Sequence, residues 1–354
     1  MGCGSWPTWP ASGATATRRA PAARTGRPSM PYSPYRHIRY KHLNIWMYDD
    51  RMRVLVVGAG ALGQVFGAWL AAGGAQVGYL VKPGREKWGE GGVPVYRLGR
   101  GGAVEQRLVP HEVLTRPVPG KWDMVWLCVD STALSGRWMA DLRDATGSAT
   151  VVTITQSGQD VAILAEVWPR EQIVQVTPAV FAYQAPLAVE VPRPGIAYWV
   201  PPGATLGVHG GEARVREVVA ALRAGGVRAK AERLAGGGDL DAARMMPFIA
   251  ALENATWSIR ATRYALAAGA SREALAITAA RYGRRPPSGV PAWLARAALR
   301  VLPRVVPFDL PAYLRTHFTK VSAQTGLMLE EWIEEGTARG LPVTDLKALS
   351  AGRS

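Results

Sequence analysis

The stretch Arg53-Val-Leu-Val-Val-Gly58-Ala-Gly60-Ala-Leu-Gly63 constrains this chain more than any other. An apolar run of strand length passes into glycines spaced G-x-G-x-x-G and then into a helical pattern. Each glycine has its own physical task. Gly58 permits a tight turn, Gly60 lets the backbone approach a pyrophosphate, and Gly63 lets the helix pack close to the strand. The N-terminus of the following helix offers unpaired N–H groups to phosphate oxygens. Gly58, Ala59, Gly60, Ala61, Leu62 and Gly63 are therefore the expected cradle of a dinucleotide.

The rest of the first half fits an open α/β sheet. A helix is expected from about Ala61 to Ala72, closed by Gly73-Gly74, and then a strand over Gln76–Val81. That strand is followed by Lys82-Pro-Gly-Arg85. A carboxylate there would bind the ribose 2′-hydroxyl of NAD, whereas basic groups suit the 2′-phosphate of NADP. Lys82 and Arg85 therefore point to NADP(H).

Residues 93–96 and 105–109 read as a small antiparallel excursion. Trp122–Val129 is a buried strand ending at Asp130-Ser131-Thr132, before a helix at about 133–145. Thr150–Thr155 is another, ending at Gln156-Ser157-Gly158-Gln159. Ligands bind beyond the carboxyl ends of such strands. Val129, Asp130, Ser157 and Gly158 are thus expected to border the nicotinamide. Short apolar runs over 173–208 read as edge strands of the same sheet. Beyond about 212 the pattern is helical, at 213–224, a long helix at 241–268, then 272–281, 291–302, 310–324 and 326–338.

The expected fold is α/β, with a Rossmann-type dinucleotide-binding domain over 52–211 and an all-helical substrate or dimerisation domain over 212–354. Residues 1–51 stand apart. The first 34 have no acidic residue and are rich in Pro, Ala, Gly, Ser, Thr and Arg, a composition that cannot fold alone. A disordered extension and a targeting peptide compete with an over-extended start. The last is favoured because Met52 opens a natural beginning for a Rossmann chain.

Charge does not redirect the argument. The formal net charge of +15 suggests nucleic acid, but residues 1–51 hold eight basic side chains against two acidic ones. The remaining excess of +9 is spread over the rest, with no basic run interleaved with aromatics. No residue from Val54 to Val81 is charged, yet glycines break that run into strand, helix and strand. Neither nucleic acid nor a membrane is expected as a partner. Cys3 and Cys128 make neither a disulfide framework nor a metal motif, so a cytoplasmic protein without a metal is expected.

The order of these motifs resembles the ketopantoate reductase (2-dehydropantoate 2-reductase) family over about residues 52–350. The resemblance rests on the glycine turn, the basic end of the second strand, the Ser157-Gly158 turn, the long helix bearing Asn254, and the stretch His317-Phe-Thr-Lys-Val-Ser-Ala-Gln-Thr325. It implies reduction of a small 2-keto acid with NADPH, in a cleft between a Rossmann domain and a helical domain. A homodimer is left open.

Three positions depart from the family pattern. Asp130 stands where the family has a lysine, and Ser157 where it has an asparagine. The catalytic lysine that precedes the asparagine matching Asn254 is replaced by Met246 or Ala250, depending on register. No lysine occurs between Lys230 and Lys320. Hydride addition builds negative charge on the keto oxygen, which needs a nearby cation or proton donor. Asn254, Lys320 and His317 are the candidate catalytic residues, and Arg244 is a nearby source of charge. Glu330 and Glu331 lie near a substrate-contacting glutamate of the family but read as a solvated face. The alternatives are a family member that binds NADP(H) as a sensor or interaction protein, and an opine- or hydroxy-acid-type dehydrogenase.

Overall fold

The structure is a computed structural model that describes residues 35–40, 43–48, 51–154, 160–232, 236–320 and 322–353. Strands β1 (Tyr35–Tyr40) and β2 (Leu43–Tyr48) pair antiparallel, within the segment 1–51 expected as a disordered extension, a targeting peptide or an over-extended start. The body of the chain begins with β3 (Arg53–Val57), α1 (Ala61–Ala72), β4 (Gln76–Leu80), β5 (Val93–Gly99), β6 (Gly102–Leu108), β7 (Glu112–Leu114) and β8 (Met124–Leu127). It continues through α2 (Trp138–Thr146), β9 (Thr150–Thr153), α3 (Asp160–Ala165), β10 (Ile173–Thr177), β11 (Phe181–Ala185) and β12 (Gly195–Trp199). Next come β13 (Leu206–Gly210), α4 (Glu212–Ala224) and β14 (Ala229–Ala231).

A strand buried along its whole length belongs inside a sheet covered on both faces. Val54–Val57 and Met124–Leu127 are such runs, each residue at most 1% exposed. They lie side by side in an eight-stranded sheet of order β14-β13-β10-β9-β8-β3-β4-β7. The pairings are parallel apart from β10 with β13. From β3 the chain turns one way to β4 and returns on the other side to β8. That reversal opens the crevice where ligands bind in sheets of this kind.

Residues 173–208 do not form the expected edge strands of this sheet: β10 and β13 join it but lie inside it, and β14 and β7 are its edges. Strands β11 and β12 join β5 and β6 in a second sheet of order β11-β12-β5-β6. The reason is the two-residue period of a strand. Ala182, Ile196 and Tyr198 pack into the core around α1, and Tyr198 meets Trp69 edge-on at 5.4 Å. Their neighbours Tyr183 and Ala197 face the core of the helical half. This sheet thus couples the two halves through its two faces.

The helical half comprises α5 (Gly237–Asn254), α6 (Tyr264–Arg281), α7 (Ala292–Val305), α8 (Leu310–Lys320), α9 (Ser322–Ala338) and α10 (Thr344–Ala351). The single helix expected at 241–268 is broken. Thr256 and Trp257 take φ of 48° and 65°, and the Trp257 N–H returns to the Leu252 carbonyl at 2.7 Å. Trp257 then stacks on Phe318 of α8, with ring centroids 6.3 Å apart. Within α5, Pro247 lacks the N–H that would reach the Ala243 carbonyl. The Ser271 hydroxyl of α6 sits there instead, 3.3 Å from Ala243 O and 3.0 Å from Arg244 O. The helix thereby continues past Met246 to Asn254. Among the described residues, no helix is long and apolar enough to cross a membrane.

Candidate functional site

The glycine turn has the shape its sequence predicts. Gly58 has φ +98°, and a Cβ there would lie 2.9 Å from the Cys128 carbonyl oxygen at the end of β8. At Gly63 a Cβ would lie 2.0 Å from the Gly58 carbonyl oxygen, so α1 approaches its own turn as closely as backbone allows. Gly60 is different. A Cβ there would meet nothing within 4 Å, and its side of the turn opens into a cleft. Gly60 caps α1 without a side-chain hydrogen bond. The first N–H groups of a helix have no partner within it, so they are available to an anion. The Gln64 side chain donates to the Ala59 carbonyl at 2.8 Å and holds the turn in place. An open space over unpaired N–H groups fits a pyrophosphate.

The cleft has a volume of about 660 Å³ and is walled by both halves of the chain. The nucleotide side contributes Ala59, Gly60, Ala61 and Leu62 from the turn, Val129 and Asp130 after β8, and Arg85 after β4. The opposite wall is Met246 of α5, Thr316, His317 and Phe318 of α8, and Gln324, Thr325 and Met328 of α9. The second sheet closes a flank with Tyr183, Gln184 and Ile196.

Several side chains are fixed by their surroundings. The Thr132 hydroxyl donates to Asp130 Oδ1, holding that carboxylate at the cleft wall. Ser131 donates to the buried Asp160 at 2.9 Å, and Gln324 reaches Ser131 at 3.4 Å, tying α9 to the β8 loop. The His317 ring stacks on Tyr313 at 5.1 Å and meets Phe318 edge-on at 4.8 Å. Burial pushes the Cys128 thiol well above its ordinary range, so it stays protonated and is no nucleophile. Burial, with the Glu190 carboxylate beside it, raises Tyr183 likewise, and its hydroxyl donates to Glu190 at 3.2 Å.

The loop after β4 carries more than its two cations. Arg85 is exposed on the cleft and Lys82 is half-buried beside it. Glu86 follows, and the Gly84 N–H donates to its carboxylate at 2.9 Å. That bond holds the Glu86 carboxyl below its usual range.

The catalytic candidates do not converge. His317 lies in the cleft. Lys320 is the last residue of α8, and its side chain, like Ser157 and Gly158, is outside the described residues. Asn254 points elsewhere: its side-chain amide donates to the Leu349 carbonyl at 2.9 Å, at the end of α10. Arg244 pairs with Asp241 at 2.6 Å on the surface and is not among the described residues lining the cleft. Neither are Glu330 and Glu331. Met246 is in the cleft and 3% exposed, whereas Ala250 is fully buried in the helical core. Of the two registers considered for the family lysine, Met246 is therefore the one whose side chain meets the cleft. Among the described residues, no cluster of His, Cys, Asp and Glu suits a metal ion.

Asn254 gives a first prediction. Asn254→Ala leaves the Leu349 carbonyl without its donor and should cost about 1–2 kcal/mol of stability. Nucleotide affinity should not change. A nucleotide titration beside a denaturant melt checks this; weakened binding at unchanged stability would place Asn254 in the site after all.

Sequence reasoning missed Gln64, Trp88, Gln324 and Thr325 as cleft residues. Gln64 directly follows the glycine motif, and its polar side chain on a buried helix face is the available signal. Trp88 packs against Tyr79 at 4.6 Å, a contact that only the fold creates.

Residues 54–199 match a family model described as Ketopantoate reductase PanE/ApbA. Among solved structures, the chain is similar to a 2-dehydropantoate 2-reductase from Geobacter metallireducens GS-15. That match has a TM-score of 0.62 at 16% identity and covers 85% of this chain and 99% of that one. A PanE/ApbA family ketopantoate reductase from Ralstonia eutropha JMP134 gives 0.63 at 19% identity, covering 85% and 96%. A D-mandelate dehydrogenase solved with NADH and anilino(oxo)acetate gives 0.60 at 14% identity, covering 85% and 97%. No curated protein sequence matches. The chain has the ketopantoate reductase fold, a sheet domain followed by a helical region.

Proposed function

We propose that this chain, whose residues 54–199 match the ketopantoate reductase model, is a nicotinamide-dependent reductase of a small 2-keto acid, with NADP(H) as its cofactor. The carrying observation is the cleft itself. One wall is a glycine turn with open space over unpaired helix N–H groups, and the other is a set of polar side chains on α8 and α9. When bound, the nicotinamide supplies hydride to a carbonyl carbon. The chain's own residues would do the rest. Gly60 and the start of α1 hold phosphate, and Val129 and Asp130 border the reacting end. Met246 and Met328 would keep water from the carbonyl as apolar side chains, and neither can donate a proton. His317 is the ionisable side chain among the described residues of the far wall and would give one, with Lys320 as the second candidate from the same helix. Gln324 offers an amide donor suited to a small carboxylate.

NADP(H) is favoured by Arg85 and Lys82, which would meet a 2′-phosphate. Glu86 works against them, but its carboxylate is engaged by the Gly84 N–H. We expect Arg85→Ala to weaken NADPH binding by up to roughly fivefold, the value of one exposed charge contact, and to leave NADH nearly unchanged. Fluorescence titration with both nucleotides reads this out. Wild-type protein that prefers NADH would sink the assignment.

Two other readings rest on specific observations. Met246 at the lysine position favours a protein that holds the nucleotide without turnover. The likeness to a D-mandelate dehydrogenase solved with NADH favours a 2-hydroxy acid with that cofactor. Oxidation of NADPH and NADH against a panel of 2-keto acids, ketopantoate among them, separates the three. Saturable NADPH turnover on one keto acid supports the reductase. Tight binding with no turnover on any substrate supports the sensor. Turnover with NADH on aryl keto acids supports the dehydrogenase.

A further inference from the structure

We propose that helix α7 docks this protein on an anionic phospholipid surface, with the helix lying in the plane of the interface. Its sequence, Ala-Trp-Leu-Ala-Arg-Ala-Ala-Leu-Arg-Val-Leu-Pro-Arg-Val, sorts into three stripes at 3.6 residues per turn. Ala295 and Leu299 face the helical core. Arg296, Arg300 and Arg304 recur every fourth residue and form a basic stripe along one exposed side. Leu294, Val301 and Val305 form an apolar stripe along another exposed side, with Trp293 and Leu302 also open to solvent. Trp293 is 71% exposed and Val305 60%. Of the eleven large hydrophobic side chains most exposed among the described residues, five belong to this one helix.

Scattered surface apolar residues need no explanation, but a contiguous stripe beside a basic one does. The charge around it selects the partner. From Ala274 to Phe308 there is no acidic residue and there are six arginines. Of these, Arg281 is engaged by Glu335 in the helical core. A second copy of the chain related by a twofold axis would set the arginine stripe near its own image, which like charges oppose. Nucleic acid would engage the arginines but leave Leu294, Val301 and Val305 against water. A bilayer with anionic headgroups satisfies both stripes at once. Aliphatic side chains and Trp293 enter the headgroup–acyl boundary while the arginines meet phosphates.

A shallow groove of about 470 Å³ lies against the basic stripe, lined by Tyr264 at the start of α6 and by Trp293, Arg296 and Arg300. Two cations beside an aromatic rim form a seat for one lipid phosphate. Sequence reading expected no membrane partner because nothing spans a bilayer. Surface docking asks for no span, so the absence of a spanning helix does not bear on it.

The test is flotation of the full chain with vesicles of phosphatidylserine and phosphatidylcholine, and with vesicles of phosphatidylcholine alone. Binding should require the anionic lipid and weaken as salt is raised. The triple variant Arg296→Gln, Arg300→Gln, Arg304→Gln should bind roughly a hundredfold more weakly. Val301→Ser with Val305→Ser should also weaken binding, at unchanged helix content by circular dichroism. Equal partition onto neutral vesicles, or a triple variant that binds like wild type, would overturn the proposal. So would a concentration-dependent dimer in sedimentation that the Val301→Ser, Val305→Ser variant loses, because that result makes a second copy the occupant.

Discussion

Gly60→Ala is expected to fold normally and to lose nucleotide affinity by roughly a hundredfold or more, because a methyl group takes the space a pyrophosphate needs. The added Cβ meets nothing within 4 Å. Gly60 has φ −74° and ψ −175°, a conformation any residue adopts. The folded chain therefore has no reason to object, and stability should move by no more than about 0.5 kcal/mol. Gly63→Ala is the matched contrast. Its Cβ would lie 2.0 Å from the Gly58 carbonyl oxygen and 3.2 Å from Cys128 Cβ. Backbone cannot yield as a flexible side chain does, so α1 must shift, at a cost of about 1–3 kcal/mol or more. That variant should lose both stability and nucleotide. Thermal melts and NADPH titrations on the pair distinguish a phosphate cradle from a packing glycine. A Gly60→Ala protein with wild-type affinity would remove the nucleotide from this turn.

The second large effect concerns charge at the reacting carbonyl. His317→Ala should lower kcat by roughly a hundredfold to a thousandfold, in the range seen when a proton donor or oxyanion partner is deleted. The nucleotide dissociation constant should hold, since His317 sits on the wall opposite the glycine turn. The ring is fixed by Tyr313 and Phe318, so little ordering remains to be done when substrate arrives. Lys320→Ala is the partner experiment. If the lysine carries the proton instead, the loss moves to that variant and His317→Ala becomes mild. Unchanged turnover in both would leave α8 out of the chemistry.

How far the sequence reached depends on how local each signal is. The glycine turn and strands β3, β4 and β8 are legible because short apolar runs bounded by turns specify buried parallel strands by themselves. The second sheet is not. Its central pairing, β12 with β5, joins segments about a hundred residues apart, and nothing in either one names the other. The break after α5 is hidden for another reason. Thr256 and Trp257 are poor choices for positive φ, and what holds them is the return of the Trp257 N–H to the Leu252 carbonyl and the stacking of Trp257 on Phe318. Asn254 was singled out by resemblance, but its partner is a carbonyl at Leu349, supplied by a helix near the end of the chain. The resemblance offers Met246 and Ala250 alike for the family's lysine, and only the fold separates the two, since Met246 lines the cleft and Ala250 is buried in the helical core.

A crystal structure with NADPH bound tests the central claim most directly. The account predicts the pyrophosphate on the N–H groups at Gly60 to Leu62, the 2′-phosphate beside Arg85, and the nicotinamide C4 facing the space between Met246 and His317. A nucleotide bound elsewhere would contradict it, for instance in the cavity of about 580 Å³ lined by Arg170, His209, Asp239 and Tyr282. A nicotinamide turned away from α8 and α9 would do the same.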